Sequence, residues 1–517
     1  MLQSNGSRYG TYSSDRDIAS TLEELIIMVI VMALAAGTRL WKLGAWSFWA
    51  DEVFSVQAAQ SLKFPDAIPG NPIMYMIVRF FTDTFGLSEW SARLGPCIIG
   101  IISVPLLYWP AKRMFNAKVG AIACVFLVIH PWHIYWSQNA RAYSLAFLFG
   151  GLAAFTFYLG LERDKVGLMV FSVFLTLLSI FSQPQSVLLL VALAGYVVFV
   201  IFFPAGIPRG FNGRNLITFF APFILSLFVL LSPSVRGYLM GGWGIDQWGR
   251  GPLYLLFTLL YCLGIPISVA AFVGGIHSLI YMNRGGLFLI CYAAIPLLAL
   301  LIISPFQNVH GYYLFFTAPA YLLLAAFCAS ELIDSTARRS RIMSAAVIMI
   351  VVVSLISQDY LYFRVENGGR AKWREALQIV KNRIGNDDIV VISMPPIADH
   401  YLWGTTGKTS PTDMRNDPSN RVIQLKRVIQ LKDAIRQLGS LEDQWRNRGQ
   451  RVWFVLDQPR LTALDTDSRF RGWIYSNCQL VKTFPVYARV MDRTINIWSL
   501  EFPDKISLPD EFDEFIF

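Results

Sequence analysis

The sequence predicts an α-helical polytopic membrane protein, with about eleven transmembrane helices, carrying a C-terminal extracytoplasmic α/β domain. Three observations predict it. Of 517 residues, 55% are hydrophobic and only 15% charged, with a mean hydropathy of +0.47; a soluble domain is about a quarter charged. Long apolar runs recur through the first 357 residues. From residue 358 the composition turns polar and shorter periodicities replace those runs.

A spanning helix needs about 20 apolar residues. The runs that qualify are 22–43, 92–111, 118–137, 142–161, 166–182, 185–203, 215–232, 253–280, 286–303, 312–330 and 341–357. Residues 1–20 are polar and read as a disordered cytoplasmic tail. The run after them follows Glu23 and Glu24, a poor start for a signal peptide, so it reads as an uncleaved first helix even though Ala33-Leu34-Ala35 resembles a cleavage site.

The stretch NPIMYMIVRFFTDTFG (71–86) is short and carries Arg79 and Asp83. Charge bias decides its fate. If it does not cross, eleven basic residues fall on the inner side: Lys112, Arg113, Lys118, Arg163, Lys165, Arg209, Arg214, Arg284, Arg338, Arg339 and Arg341. Only Arg141, Arg236 and Arg250 then fall in the short outer loops. If it does cross, the bias reverses. It is therefore read as a helix lying in the outer interface. The N-terminus is then cytoplasmic, 21–357 form the membrane domain with a first outer loop at 44–91, and 358–517 lie outside. SQNARAY (137–143), FSQPQS (181–186) and PFQNVHG (305–311) emerge on one face. The net charge of +9 is read as this topology signal, which leaves no case for a nucleic-acid partner.

Of six cysteines, five lie in apolar runs and only Cys478 lies in the polar region, with no CxxC spacing. In the outer domain, WREALQIVKNRIG (373–385) has helical spacing. DDIVVISM (387–394) and RVWFVLD (451–457) read as buried strands, and 480–500 as a strand pair. RVIQLKRVIQLK (421–432) repeats six residues, either a one-sided helix or a duplication without functional meaning.

The chemistry centres on SFWADEVFSVQ (47–57). Asp51 and Glu52 are solvated loop acids on the plainest reading. Trp46, Phe48, Trp49, Val53 and Phe54 around them suggest an interfacial aromatic belt and partial desolvation, which raises a carboxylate toward the range useful to a base.

The run RLWKLGAWSFWADEVFSVQAA (39–59) resembles the first-loop signature of the GT-C membrane glycosyltransferases, such as the protein O-mannosyltransferases, the lipid A aminoarabinose transferase and the Rgt-like bacterial enzymes. Residues 91–147, 311–326 and 371–393 continue the likeness, and 205–300 match least. The resemblance implies transfer of a sugar from a polyprenyl-phosphate donor to a glycan, lipid or protein acceptor at the outer face of the plasma (inner) membrane. It implies Asp51 as the catalytic base and Glu52 as the residue that orients the loop or the acceptor, with inversion at the anomeric carbon. Arg141 would hold the donor phosphate, with His310 and Arg250 as further candidates. Asn71, Asn139, Tyr143 and Tyr313 stand in the loops that would contact substrate. Arg93 also matches, as a helix cap or a partner of Glu89.

Three departures imply either that donor and acceptor differ from the better-known cases or that catalysis is impaired. Asn71-Pro72-Ile73 stands for His-Pro-Pro, Asn139 for an acid, and Tyr312-Tyr313 for Arg-Tyr. No cofactor is firmly implied, although some members use a divalent metal ion. His130 and His133 have metal-ligand spacing without a third ligand, so no metal residue is assigned. Two other classes compete: a transporter or flippase for a lipid-linked substrate, and a non-catalytic scaffold of an envelope polysaccharide complex. No internal repeat supports the transporter, and tolerance of Asp51→Asn would mark the scaffold.

Overall fold

The structure is a computed structural model and describes residues 11–62, 71–202, 206–230, 249–334, 337–385, 387–403, 428–448, 450–488 and 491–502. It divides into two compact units. One comprises Met1–Leu43, Pro65–Gly86 and Ser91–Asp359; the other comprises Gly44–Phe64, Leu87–Trp90 and Tyr360–Phe517.

In the first unit a helix or bent helix pair stands at each of the apolar runs: Thr11–Leu40, Glu89–Met114, Ala117–Val128 with Pro131–Ser137, Tyr143–Arg163, Val166–Ser182, Leu188–Phe202, Gly213–Leu230, Pro252–Leu263 with Ile265–Ile280, Arg284–Ile303, Ala318–Asp334 and Arg338–Tyr360. Among the described residues, six helices are long and apolar enough to cross a membrane, or eight if each bent pair is one span. The span Gly311–Ile333 is the most deeply buried and Arg338–Val365 the least. Large apolar side chains such as Ile217, Phe272 and Met349 are exposed, as a lipid solvent requires.

Three details differ from the sequence expectation. The first helix begins at Thr11, so the tail is helical over its second half. The run 253–280 bends by 100° between its two helices, because Gly264 takes φ +83° and Pro266 follows at the next helix start. The run 118–137 bends by 62° ahead of Pro131. That proline has no N–H for the Leu127 carbonyl. Arg39 takes over, its guanidinium donating to the carbonyls of Leu127 and Val128, each at 2.8 Å. Residues 71–86 do form a helix, Pro72–Phe85, packed against Val166–Ser182 and carrying an exposed Arg79–Asp83 pair at 3.3 Å.

The second unit is built on a five-stranded sheet. Its strands in chain order are β1 (Ile389–Ile392), β2 (Val428–Gln430), β3 (Val452–Asp457), β4 (Gln479–Phe484), a small separate hairpin of β5 (Tyr487–Ala488) and β6 (Met491–Asp492), and β7 (Ile495–Leu500). The spatial order is β2-β1-β3-β7-β4. β1 runs parallel to β2 and β3, with Val390 opposite Val428 and Trp453, while β7 is antiparallel to β3 and β4. β1 and β3 are buried at every residue, as parallel strands covered on both faces must be. Val391 and Phe454 point into a core with Leu431, Trp445, Leu461 and Phe470. The opposite face is covered by Trp373–Lys381, which packs against β3, β7 and the helix Pro395–Trp403. The second copy of the six-residue repeat supplies β2 and the start of Leu431–Arg436; the first copy lies outside the described residues.

The same unit includes the helix Ala50–Gln60, which packs against Pro395–Trp403.

Candidate functional site

Asp51 and Glu52 occupy the second and third positions of Ala50–Gln60. An acid in a first turn suits the positive end of the helix. Here the two acids part company. Asp51 is half-buried. Glu52 is 0% exposed, and Arg370, 1% exposed, donates to its Oε2 from Nε at 3.3 Å. The Trp49 N–H also points to Glu52 Oε2, at 3.5 Å, closing the first turn. Arg370 is fixed in turn by the Gly368 carbonyl at 2.8 Å and by the Trp46 ring, 5.7 Å from its guanidinium carbon. Glu52 thus has no exposed surface to offer a ligand, and its carboxylate is bound within the loop.

The residues around the pair are likewise tied inward. Ser47 donates to Glu375 at 3.1 Å and accepts from the Arg374 N–H at 3.0 Å. Arg374 pairs with Glu89 at 3.0 Å and donates to the Ala45 carbonyl at 2.7 Å. The Tyr401 hydroxyl accepts from the Phe48 N–H at 2.7 Å and donates to Glu89 at 2.9 Å. Trp46 lies edge-on to Tyr362 and Phe48 to His400. The aromatic belt expected here is thus corrected: Trp46, Phe48 and Val53 are buried, and of the five only Phe54, 48% exposed, offers a large outward apolar face. Residues more than 300 positions away in sequence enclose this stretch: the Tyr362 and His400 rings pack on Trp46 and Phe48, and Glu375, Arg374 and Tyr401 bond Ser47 and the backbone of Ala45 and Phe48.

The remaining candidates belong to the first unit. There 137–143, 181–186 and 305–311 do converge at one end. Trp136 stacks on Tyr143 with centroids 3.7 Å apart and meets Tyr312 edge-on at 5.2 Å. The turn Pro184–Val187 packs against Gly311–Thr317. His310 lies 3.7 Å from the Tyr312 ring and accepts from the Tyr312 N–H through Nδ1 at 3.2 Å. Arg250 joins through Asn308, to which its Nε donates at 2.7 Å. Burial pushes the His310 imidazole down to about 3, so it offers a hydrogen bond and not a cation. The Arg141 N–H donates to the Asn139 carbonyl at 2.7 Å, and the Arg141 side chain is half-buried. Asn139, Tyr143 and Tyr313 are buried. Asn71 precedes the helix Pro72–Phe85. Arg93 donates to the Leu43 carbonyl at 3.1 Å, a buried structural bond.

His133 meets Arg39 on Nδ1 at 2.9 Å and Ser103 on Nε2 at 3.0 Å, so both ring nitrogens are engaged. Among the described residues no group of three His, Cys, Asp or Glu could hold a metal ion.

Comparison with known proteins gives these features a setting. Residues 69–235 match the family described as dolichyl-phosphate-mannose-protein mannosyltransferase. ArnT from Cupriavidus metallidurans superposes in its apo state with a TM-score of 0.56 at 13% identity, over 93% of this chain and 98% of that one. The same protein bound to undecaprenyl phosphate gives 0.51 at 14% identity, with the same coverage. The chain has a GT-C fold. The archaeal oligosaccharyltransferase AglB from Archaeoglobus fulgidus, in complex with an inhibitory peptide and a dolichol-phosphate, also shares this GT-C architecture, with a TM-score of 0.52 at 12% identity over 85% of this chain and 70% of that one. No curated protein matches the sequence.

Sequence reasoning found the GT-C signature but missed what holds it: Arg370, Arg374, Glu375 and Tyr401. AKWREALQIV (371–380) carried a hint, since a Trp-Arg-Glu triplet is polar for the start of a helix whose other face is buried.

Proposed function

We propose that this protein transfers a sugar from a polyprenyl-phosphate donor to an acceptor hydroxyl, by a single inverting displacement with Asp51 as the base. The observation that carries the reading is the division of labour in the signature pair. Glu52 is consumed by its buried ion pair, which leaves Asp51 as the half-buried carboxylate on a helix held from below. The GT-C fold adds support, because ArnT binds undecaprenyl phosphate and AglB a dolichol-phosphate.

In this mechanism the Asp51 carboxylate takes the proton of the acceptor hydroxyl as its oxygen attacks the anomeric carbon. The bond from that carbon to the phosphate oxygen breaks, and polyprenyl phosphate leaves with the electron pair. General-base help of this kind is worth about 10²–10⁴ in rate. Charge building on the phosphate calls for guanidinium groups, which match its oxygens two at a time; Arg141 and Arg250 are assigned this role, with His310 as a neutral donor. The bias of eleven basic residues against three supports a cytoplasmic N-terminus and an extracytoplasmic C-terminal unit.

The test is consumption of a panel of polyprenyl-phosphate sugars by purified protein in lipid, wild type beside Asp51→Asn. Turnover in the wild type and a loss of about 10²–10⁴ in the variant, with donor binding intact, is the expected result. Equal turnover in both would remove Asp51 as the base, and none with any donor would favour the scaffold.

A further inference from the structure

The helix Ala50–Gln60 buries a stripe of short side chains, Ala50, Val53, Ser55, Val56 and Ala59, together with Glu52. The burial of apolar surface has no direction, so a stripe this smooth fixes the depth of a helix better than its rotation. Successive side chains stand about 100° apart around an α-helix. Whatever fixes Glu52 therefore also fixes where its neighbour Asp51 points.

Glu52 is fixed by a directional bond. Arg370 donates to its Oε2 from Nε at 3.3 Å, and neither side chain is more than 1% exposed. A guanidinium bonds only along the lines its planar N–H groups set. The anchor behind it is stiff. Arg370 Nη1 donates to the Gly368 carbonyl at 2.8 Å. The Asn367 side chain donates to the Arg370 carbonyl at 2.8 Å, and the Arg370 N–H donates to the Asn367 carbonyl at 3.2 Å. The guanidinium is thus tied to the backbone of its own turn on one side and to the helix on the other.

That turn carries backbone strain. Asn367, Gly368 and Gly369 have φ of +50°, +65° and +68°. Asparagine visits this region when its side chain bonds locally, as Asn367 does. Strained backbone persists where its surroundings hold it, and it gathers at functional sites. The turn and Ala50–Gln60 belong to the same compact unit.

We propose that Arg370 is a positioning residue for the base: through Glu52 it fixes the rotation of Ala50–Gln60, and so the direction in which Asp51 presents its carboxylate. The proposal rests on Asp51 as the base of the transfer. Arg370 touches neither donor nor acceptor. It acts on the rate by keeping the base aligned, where a displacement of about 1 Å can cost about 10² in rate.

The experiment separates stability from alignment. In Glu52→Leu with Arg370→Met, apolar side chains of similar volume replace the pair, so the protein should stay folded while the directional bond is lost. A nitroxide on Asp51→Cys reads the motion of position 51 in the full-length protein in lipid nanodiscs. Cys478→Ser is the background, since the other five cysteines are buried. The label should be restrained with the native pair and freer in the double variant. A label on Thr483→Cys, on the exposed strand β4, should give one spectrum in both. With Asp51 in place, the double variant should lower kcat by about tenfold to a hundredfold and leave the KM for donor unchanged. A pair that only stabilised the fold would leave kcat at the wild-type value. Thermal midpoints show which variants are folded. If the double variant is not, Arg370→Lys decides, because it keeps the charge and gives up the two-way grip of the guanidinium. An unchanged spectrum at position 51, or a wild-type kcat in the folded variant, overturns the proposal. The label reads without turnover, so failure of Asp51 as the base shows in the rate of Asp51→Asn, and failure of Arg370 shows in the spectrum.

Discussion

At the scale of single residues, adjacent acids in one helical turn have opposite fates. Glu52 is part of the interior, and a buried pair is most sensitive to losing one member. Glu52→Gln should cost about 3–5 kcal/mol, because it leaves Arg370 buried and uncompensated. Replacing both members with apolar side chains of similar volume, Glu52→Leu with Arg370→Met, should recover most of that loss. A denaturant-unfolding cycle on the four proteins checks this, and additive losses would refute the coupling. Asp399, on the helix that supports Ala50–Gln60, carries a different signature: burial raises its carboxyl to about 6. A raised carboxyl contributes stability that is complete below the unfolded value near 4 and is lost as pH rises through about 6. Asp399→Asn should therefore raise the thermal midpoint at pH 7 relative to wild type, and the difference should shrink toward pH 4. A constant difference across that range would show that the carboxyl does not titrate there.

At the scale of elements, the segment 366–370 sets the height of the first-turn acids. Gly368 has φ +65°, and a Cβ added there would meet the Trp46 ring at 2.5 Å. Gly368→Ala should cost about 1–3 kcal/mol from the backbone alone, and more from displacement of Trp46; the thermal midpoint measures it. If the midpoint is unchanged, Trp46 is not held as described. Most elements were legible before the structure. Apolar runs place helices wherever they fall, since backbone in lipid must bond within itself. The continuous apolar runs of β1 and β3 mark strands covered on both faces. The bends at Gly264 and before Pro131 have local causes in the sequence, but run length concealed them. The proposed site was legible only in its local part. SFWADEVFSVQ suggests Asp51 as the base, yet nothing local says that Glu52 would be buried, because its partner lies 318 positions away.

At the scale of the whole molecule, the chain does not divide where its composition does. The 44–64 segment is interrupted from the C-terminal region by a long helical stretch, yet it forms one compact unit with residues 360–517. Deleting 371–517 should therefore do more than change the choice of acceptor. It removes Glu375 from the Ser47 hydroxyl and Arg374 and Tyr401 from the backbone of Ala45 and Phe48, and it uncovers Phe48. The truncated chain is expected to turn over no donor at all. A truncated protein with normal donor consumption and an altered acceptor range would show that the segment holds its shape unaided. The same arrangement sets a clock on biosynthesis. Ribosomes add about 5–20 residues per second, so the 318 residues between Glu52 and Arg370 take roughly 16–64 s to appear. Through that interval the nascent chain carries its proposed base on an unanchored helix. On the proposed mechanism, competence arrives only with the last quarter of the polypeptide, and a half-made protein left in the membrane would be silent toward its donor.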